Sequence, residues 1–140
     1  MPPIVSSIEI ARPPEEVFSY VTDPTKFTEW QDDVVSVSTQ GNRITTTRKI
    51  GRFNRTMTQE VTEVEAPRRW SARGNSGPIR PSMTITVEPL DNNKRSRVTF
   101  VLDFAGRGYG DLLIPAIRRM AAKGAPVSYQ HLKERLEMGL

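Results

Sequence analysis

Two hydrophobic periods alternate along the chain, and the places where one gives way to the other divide it into elements. The first apolar segment, Ile4–Ile10, reads as a strand. The stretch PPEEVFSYVTDPTKFTEW, Pro13 to Trp30, then reads as two very short helices separated by a sharp bend. Pro14 suits a first helical position, where its missing N–H costs no bond, and Glu15 and Glu16 complement the positive helix end. Val17, Phe18 and Val21 make a narrow apolar stripe. Asp23 is placed to cap the second helix ahead of Pro24, with Phe27 and Trp30 on one face. Helices this short do not persist alone in water, so a larger body must pin them.

Strand patterns fill the middle of the chain: Val34–Thr39, Ile44–Ile50, Phe53–Glu65, Arg69–Arg73, Met83–Leu90 and Arg97–Phe104. Turn clusters separate them, among them Gln40-Gly41-Asn42, Gly51-Arg52, Ala66-Pro67, Gly74–Pro78 and Asp91-Asn92-Asn93. Connections this short join antiparallel neighbours, because a parallel crossover needs a dozen or more residues. After Gly110 the period becomes helical, with Leu113, Ile117, Met120 and Ala121 followed by Tyr129, Leu132 and Leu136. Asp111 is placed to cap this last helix. Gly124-Ala125-Pro126 in its middle predicts a kink or break between Lys123 and Val127, with Ser128 able to restart it. That interruption is either a plain bend or a hinge that lets the first half open. The order is strand, two short helices, six strands, one long helix: an α+β chain without internal repeats.

Such a sheet must lay the long helix on one face, and a sheet curled around it leaves a cavity. The stretch IEIARPPEEVFSYVTDPTKFTEWQDDVVSV, followed by VTEVEAPRRWSARG, a Ser-Gly-Pro turn, RVTFVLDF and a terminal HLKERLE, resembles START-like helix-grip proteins of the polyketide cyclase/dehydrase branch. The resemblance spans essentially the whole chain, 1–140 as one domain, and implies a curved antiparallel seven-stranded sheet wrapped around the C-terminal helix. It implies binding of a hydrophobic small molecule such as a lipid, polyketide or isoprenoid, for transport or sequestration. It also permits an aromatase/cyclase acting on a poly-β-ketone.

The hairpin at Ile50-Gly51-Arg52-Phe53 suits a type II′ turn and pairs Arg48 with Arg55, Thr46 with Met57 and Ile44 with Gln59. Threonines fill the opposite face, so these residues, with Ile50 and Phe53, are expected to face inward. The same alternation turns Met83, Ile85, Val87, Val98, Phe100, Leu102 and Phe104 inward and Asp103 outward. Two arginines about 5 Å apart repel by about 3 kcal/mol at an effective dielectric of about 20. Solvent at the hairpin tip, a carboxylate or an anionic ligand must relieve that. Trp30 and Trp70 are either core or pocket wall, and Met57, Met83 and Met120 supply adaptable apolar surface. The candidate ligand-binding set is Trp30, Arg48, Arg55, Met57, Gln59, Trp70, Met83, Ile85, Phe100, Leu102, Tyr109, Leu113, Ile117 and Met120.

Composition narrows the chemistry. Among 140 residues, 36% are hydrophobic and none is cysteine, which excludes disulfides and thiolate chemistry. No apolar run approaches a membrane span and no signal-peptide pattern opens the chain, so a cytoplasmic protein, monomeric or weakly dimeric, is the expectation. A net charge of +4 invites a nucleic-acid reading, yet the arginines are scattered and no nucleic-acid-binding motif accompanies them. Gly106-Arg107-Gly108-Tyr109-Gly110 lacks the third glycine of a dinucleotide loop and no strand follows its helix, leaving a structural loop or a gate. His131, the single histidine, has no partner at metal-ligand spacing and reads as a solvated or interface residue. Glu15-Glu16 and Asp32-Asp33 are adjacent and diverge, so neither makes a glycosidase couple. No catalytic residue, metal or cofactor is indicated.

Overall fold

The computed structural model describes residues 2–75 and 77–139, with the Ile50 side chain excepted, so the expected inward Ile50 and the Ser76 of the turn lie outside the described residues. The elements follow as β1 (Ile4–Ile10), α1 (Pro14–Val21), a 3-10 turn (Pro24–Lys26), α2 (Phe27–Trp30), β2 (Val34–Gln40), β3 (Arg43–Ile50), β4 (Phe53–Glu65), β5 (Arg69–Gly74), β6 (Ile79–Leu90), β7 (Arg95–Gly106) and α3 (Gly110–Glu137). Seven antiparallel strands form one curved, unclosed sheet in the order β1-β7-β6-β5-β4-β3-β2. Irregular register in β2 at Val34–Ser36 and in β4 at Val61–Glu63 helps these strands bend.

The short helices form for the reasons their residues dictate. Pro14 occupies the first turn of α1, and Val17, Phe18 and Val21 are its buried face. Asp23 caps the 3-10 turn by accepting from the Thr25 N–H at 3.0 Å. Phe27 and Trp30 then pack edge-to-face, ring centres 6.0 Å apart, inside the main core.

Several details depart from expectation, and β7, at Arg95–Gly106, is longer at both ends than the expected Arg97–Phe104. β6 begins at Ile79, not Met83, and runs through Pro81. The β5–β6 ladder stops at Arg73–Ser82, where the proline offers no N–H, while the β6–β7 ladder continues to Ile79–Gly106. α3 starts at Gly110, and Asp111 sits in its first turn without capping it. A Cβ at Gly110 would lie 1.9 Å from the Pro78 carbonyl oxygen, so the helix start is seated against the β5–β6 turn where only glycine fits. Finally, α3 runs unbroken through Pro115 and Pro126, and Ser128 restarts nothing. Pro126 is exposed, while Ser128, Tyr129, Leu132 and Leu136 beyond it are buried. That buried face keeps the second half in line with the first.

The hairpin register holds residue for residue: Ile44–Gln59, Thr46–Met57 and Arg48–Arg55 are directly opposed. Gly51 has φ +62°, as the first position of the turn requires. Phe53 is a correction, since it is 74% exposed at the hairpin tip instead of facing inward. Asp103 accepts from Arg118 of α3 at 2.8 Å, so it is tied to the helix and not simply solvated.

Candidate functional site

Between the concave sheet face and α3 lies a cavity of about 340 Å³. The strands alternate, so every second residue of the inner surface reaches it. Met57 and Gln59 come from β4, Trp70 from β5, Pro81, Met83 and Ile85 from β6, and Leu102 and Phe104 from β7. Phe27 and Trp30 close one end from α2, and α3 supplies Ile117, Met120, Ala121, Gly124, Ala125, Val127, Ser128 and Tyr129. The floor is apolar but for Gln59. Polar groups gather on one side, where Gln31, Asp32, Asp33, Arg48 and Lys49 complete the wall.

Of the candidate ligand-binding residues, Trp30, Arg48, Met57, Gln59, Trp70, Met83, Ile85, Leu102, Ile117 and Met120 stand on this wall, and Arg55, Phe100, Tyr109 and Leu113 do not. Phe100 lies one layer behind, fully buried and stacked on Tyr129 with ring centres 3.8 Å apart. Leu113 packs instead against the small cluster of Met57, Ile79 and Ile117. Tyr109 is 64% exposed, because the loop that carries it is fixed by Gly110 against Pro78 and projects the ring into solvent. Arg55 is half-buried, opposite Arg48 but off the wall.

The repulsion between those arginines is relieved by a carboxylate. Arg48 donates from Nη1 to Gln31 Oε1 at 2.8 Å and to Asp33 Oδ2 at 3.1 Å, so one charge of the pair is matched. Beside this group, burial pushes the Tyr129 phenol well above its ordinary range, and the Arg48 guanidinium offsets that only in part. Tyr129 therefore stays a neutral hydroxyl at physiological pH. Gln59 donates to the Pro81 carbonyl at 3.4 Å. The Trp30 ring lies between Phe27, Phe100 and Tyr129, and its buried indole N–H has no hydrogen-bond partner among the described residues. His131 pairs through Nδ1 with Asp32 at 3.2 Å beside the polar side.

Sequence reasoning missed Gln31, Asp33, Tyr129 and Gly124. A signal existed for two of these: the polar run Gln31-Asp32-Asp33 follows directly on the buried aromatic pair. Gly124 reads locally as a helix breaker, yet a Cβ there would meet nothing within 4 Å, so its small size leaves space at the cavity. Among the described residues no cluster of three metal-ligating side chains occurs.

The pattern of the family described as polyketide cyclase / dehydrase and lipid transport matches residues 1–137. This chain belongs to that family. Its architecture is the START-like helix grip that the family shares with several solved structures. A protein of Thermus thermophilus superimposes with a TM-score of 0.80 at 18% identity, covering 99% of each chain. An aromatase/cyclase from Streptomyces sp. R1128 gives 0.78 at 14% identity, over 95% of this chain and 93% of that one. A START superfamily protein from Mycobacterium smegmatis gives 0.71 at 14% identity, over 98% and 95%. No curated protein matches the sequence. At these identities the family likeness to solved structures is one of fold.

Proposed function

We propose that the protein binds a hydrophobic small molecule, such as a lipid, polyketide or isoprenoid, in the cavity under α3 and carries or sequesters it. One observation carries this reading: a mainly apolar chamber of about 340 Å³ with a few hydrogen-bonding groups on its wall, most of them in the Gln31–Asp33 and Arg48–Lys49 segments. That is the usual make-up of a small-molecule site, which is mostly apolar with a few placed polar groups. Arg48, Gln31 and the Tyr129 hydroxyl would orient the oxygen-bearing end, and Met57, Met83 and Ile117 would cover the rest. Mass spectrometry of molecules that co-purify with the native protein tests it. A hydrophobic compound released in stoichiometric amount is the expected result, and an empty protein that also fails to shift its melting temperature with any lipid, isoprenoid or polyketide probe overturns it.

A second reading, an aromatase/cyclase, is favoured by the neutral Tyr129 hydroxyl beside Arg48. Such a pair can polarise a ketone oxygen while the apolar wall folds the chain. Arg48 stays charged and the Tyr129 phenol is held protonated, so neither is suited to abstract a proton near neutral pH. Binding is therefore preferred. Regiospecific ring closure of a poly-β-ketone thioester above the buffer rate would reverse that preference.

A further inference from the structure

The antiparallel order places the β3–β4 hairpin, the β5–β6 turn and the β7–α3 connection at one end of the sheet. Three of the most exposed large apolar side chains of the described residues sit there: Leu112 at 83%, Phe53 at 74% and Tyr109 at 64%. Basic residues accompany them. Lys49 and Arg52 flank the hairpin turn and Arg107 lies in the β7–α3 connection, all three exposed. In the segments 49–53, 74–80 and 105–112 the single carboxylate is Asp111, and the start of β2 brings Asp32 and Asp33 to the same end, where Asp33 is paired with Arg48 and Asp32 with His131. The opposite end is different, with Glu15, Glu16, Glu65 and Asp91 interspersed among its basic groups.

Isolated exposed apolar residues are ordinary; several at one end, accompanied by cations that outnumber the carboxylates there, are not. From this juxtaposition we infer that this end of the molecule docks onto an anionic lipid surface, with Phe53, Tyr109 and Leu112 entering the headgroup layer and Lys49, Arg52 and Arg107 meeting the phosphates. An aromatic ring with a polar tip suits that depth, and each nearby Lys or Arg adds about 1 kcal/mol of attraction to an anionic leaflet, roughly fivefold in binding. A nucleic acid would satisfy the cations and leave the apolar side chains in water. Lys49 also lines the cavity, so the docking surface adjoins the polar side of the chamber. The surface argument does not depend on what the cavity holds.

Vesicle flotation of the full chain tests it, with phosphatidylcholine alone compared with a 3:1 phosphatidylcholine–phosphatidylglycerol mixture at about 50 mM and 500 mM salt. Binding to the anionic vesicles alone, lost at high salt, is expected. Arg52→Glu with Arg107→Glu should lower that binding more than tenfold, and Phe53→Ser or Leu112→Ser should lower it several-fold. Lys94→Glu at the opposite end should leave it unchanged. Melting curves confirm that each variant is folded. Failure to bind either vesicle, equal binding to both, or equal loss in Lys94→Glu would overturn the inference, as would variants of the apolar residues that bind like wild type.

Discussion

At the scale of single residues, the cavity is governed by a few side chains whose roles separate cleanly. A Cβ at Gly124 of α3 would meet nothing within 4 Å, so Gly124→Leu adds a side chain at the cavity wall with room for its first carbon. Because glycine costs a helix interior up to about 1 kcal/mol, that variant should melt at a higher temperature than wild type while binding hydrophobic probes at least tenfold more weakly. Thermal denaturation and probe titration read both effects. A stabilised variant that still binds normally would show that the ligand sits elsewhere. Arg48→Met is the complementary change. The Arg48–Asp33 pair is partly exposed, 23% and 46% by side chain, so its loss should cost under about 1 kcal/mol of stability. Probes with a carbonyl or hydroxyl end should lose about tenfold in affinity, and plain hydrocarbon probes should be unaffected. The alternation of β4, β6 and β7 made their inward residues readable from sequence. Arg48's partner and Tyr129's place on the wall were not readable, since both depend on how α2 and α3 cross the sheet.

At the scale of elements, the end of α3 is held by a network that crosses to β1. Glu137 accepts from the Ala11 N–H at 2.8 Å and from Lys133 Nζ at 2.9 Å, and Lys133 also donates to the Glu9 carbonyl at 2.6 Å. Arg12 donates to the carbonyls of Leu136 and Glu137, satisfying helix-end acceptors that would otherwise go unpaired. The hydrogen bond from Lys133 is the foremost cause that holds the Glu137 carboxyl below its ordinary value of 4.5; the Ala11 N–H adds to it and burial opposes it. A carboxyl lowered on folding stabilises the fold fully above its unfolded value and ceases to do so as pH falls through the folded one. Glu137→Gln should therefore cost about 1 kcal/mol at pH 7, and the difference from wild type should shrink below about pH 4.5. Urea titrations at pH 7, 5 and 3.5 measure this, and a difference that stays constant over that range would contradict it. Strand number, the antiparallel pairing of strands joined by short turns and the β3–β4 register were legible because hairpin chemistry and two-residue periodicity are local; the place of β1 beside β7 was not, since that pairing is long-range. The early start of β6 was hidden by Pro81, whose missing N–H matters on only one of the strand's two sides.

At the scale of the whole molecule, the sheet grips the two halves of α3 unequally. The second half buries Ser128, Tyr129, Leu132 and Leu136, with Tyr129, Leu132 and Leu136 in the main core, while the first half buries little beyond Ile117, in a small separate cluster. Two interior prolines each remove a backbone bond, freeing the carbonyls of Asp111 and Ala122, and each such proline costs about 3 kcal/mol. The first half is thus the weaker part of an unbroken helix, and it roofs the chamber through Ile117, Met120 and Ala121. Local opening follows the places with least buried contact. Amides in Leu112–Lys123 should exchange at least tenfold faster than those in Leu132–Glu137, and a bound hydrophobic probe should slow the first set and leave the second unchanged. Pro126→Ala restores one bond between the halves, so it should narrow the difference in exchange and slow probe entry measured by stopped-flow fluorescence. Equal protection of both halves, indifferent to ligand and to Pro126→Ala, would mean that the helix moves as one body and that ligands enter past the Asp32–Asp33 side instead.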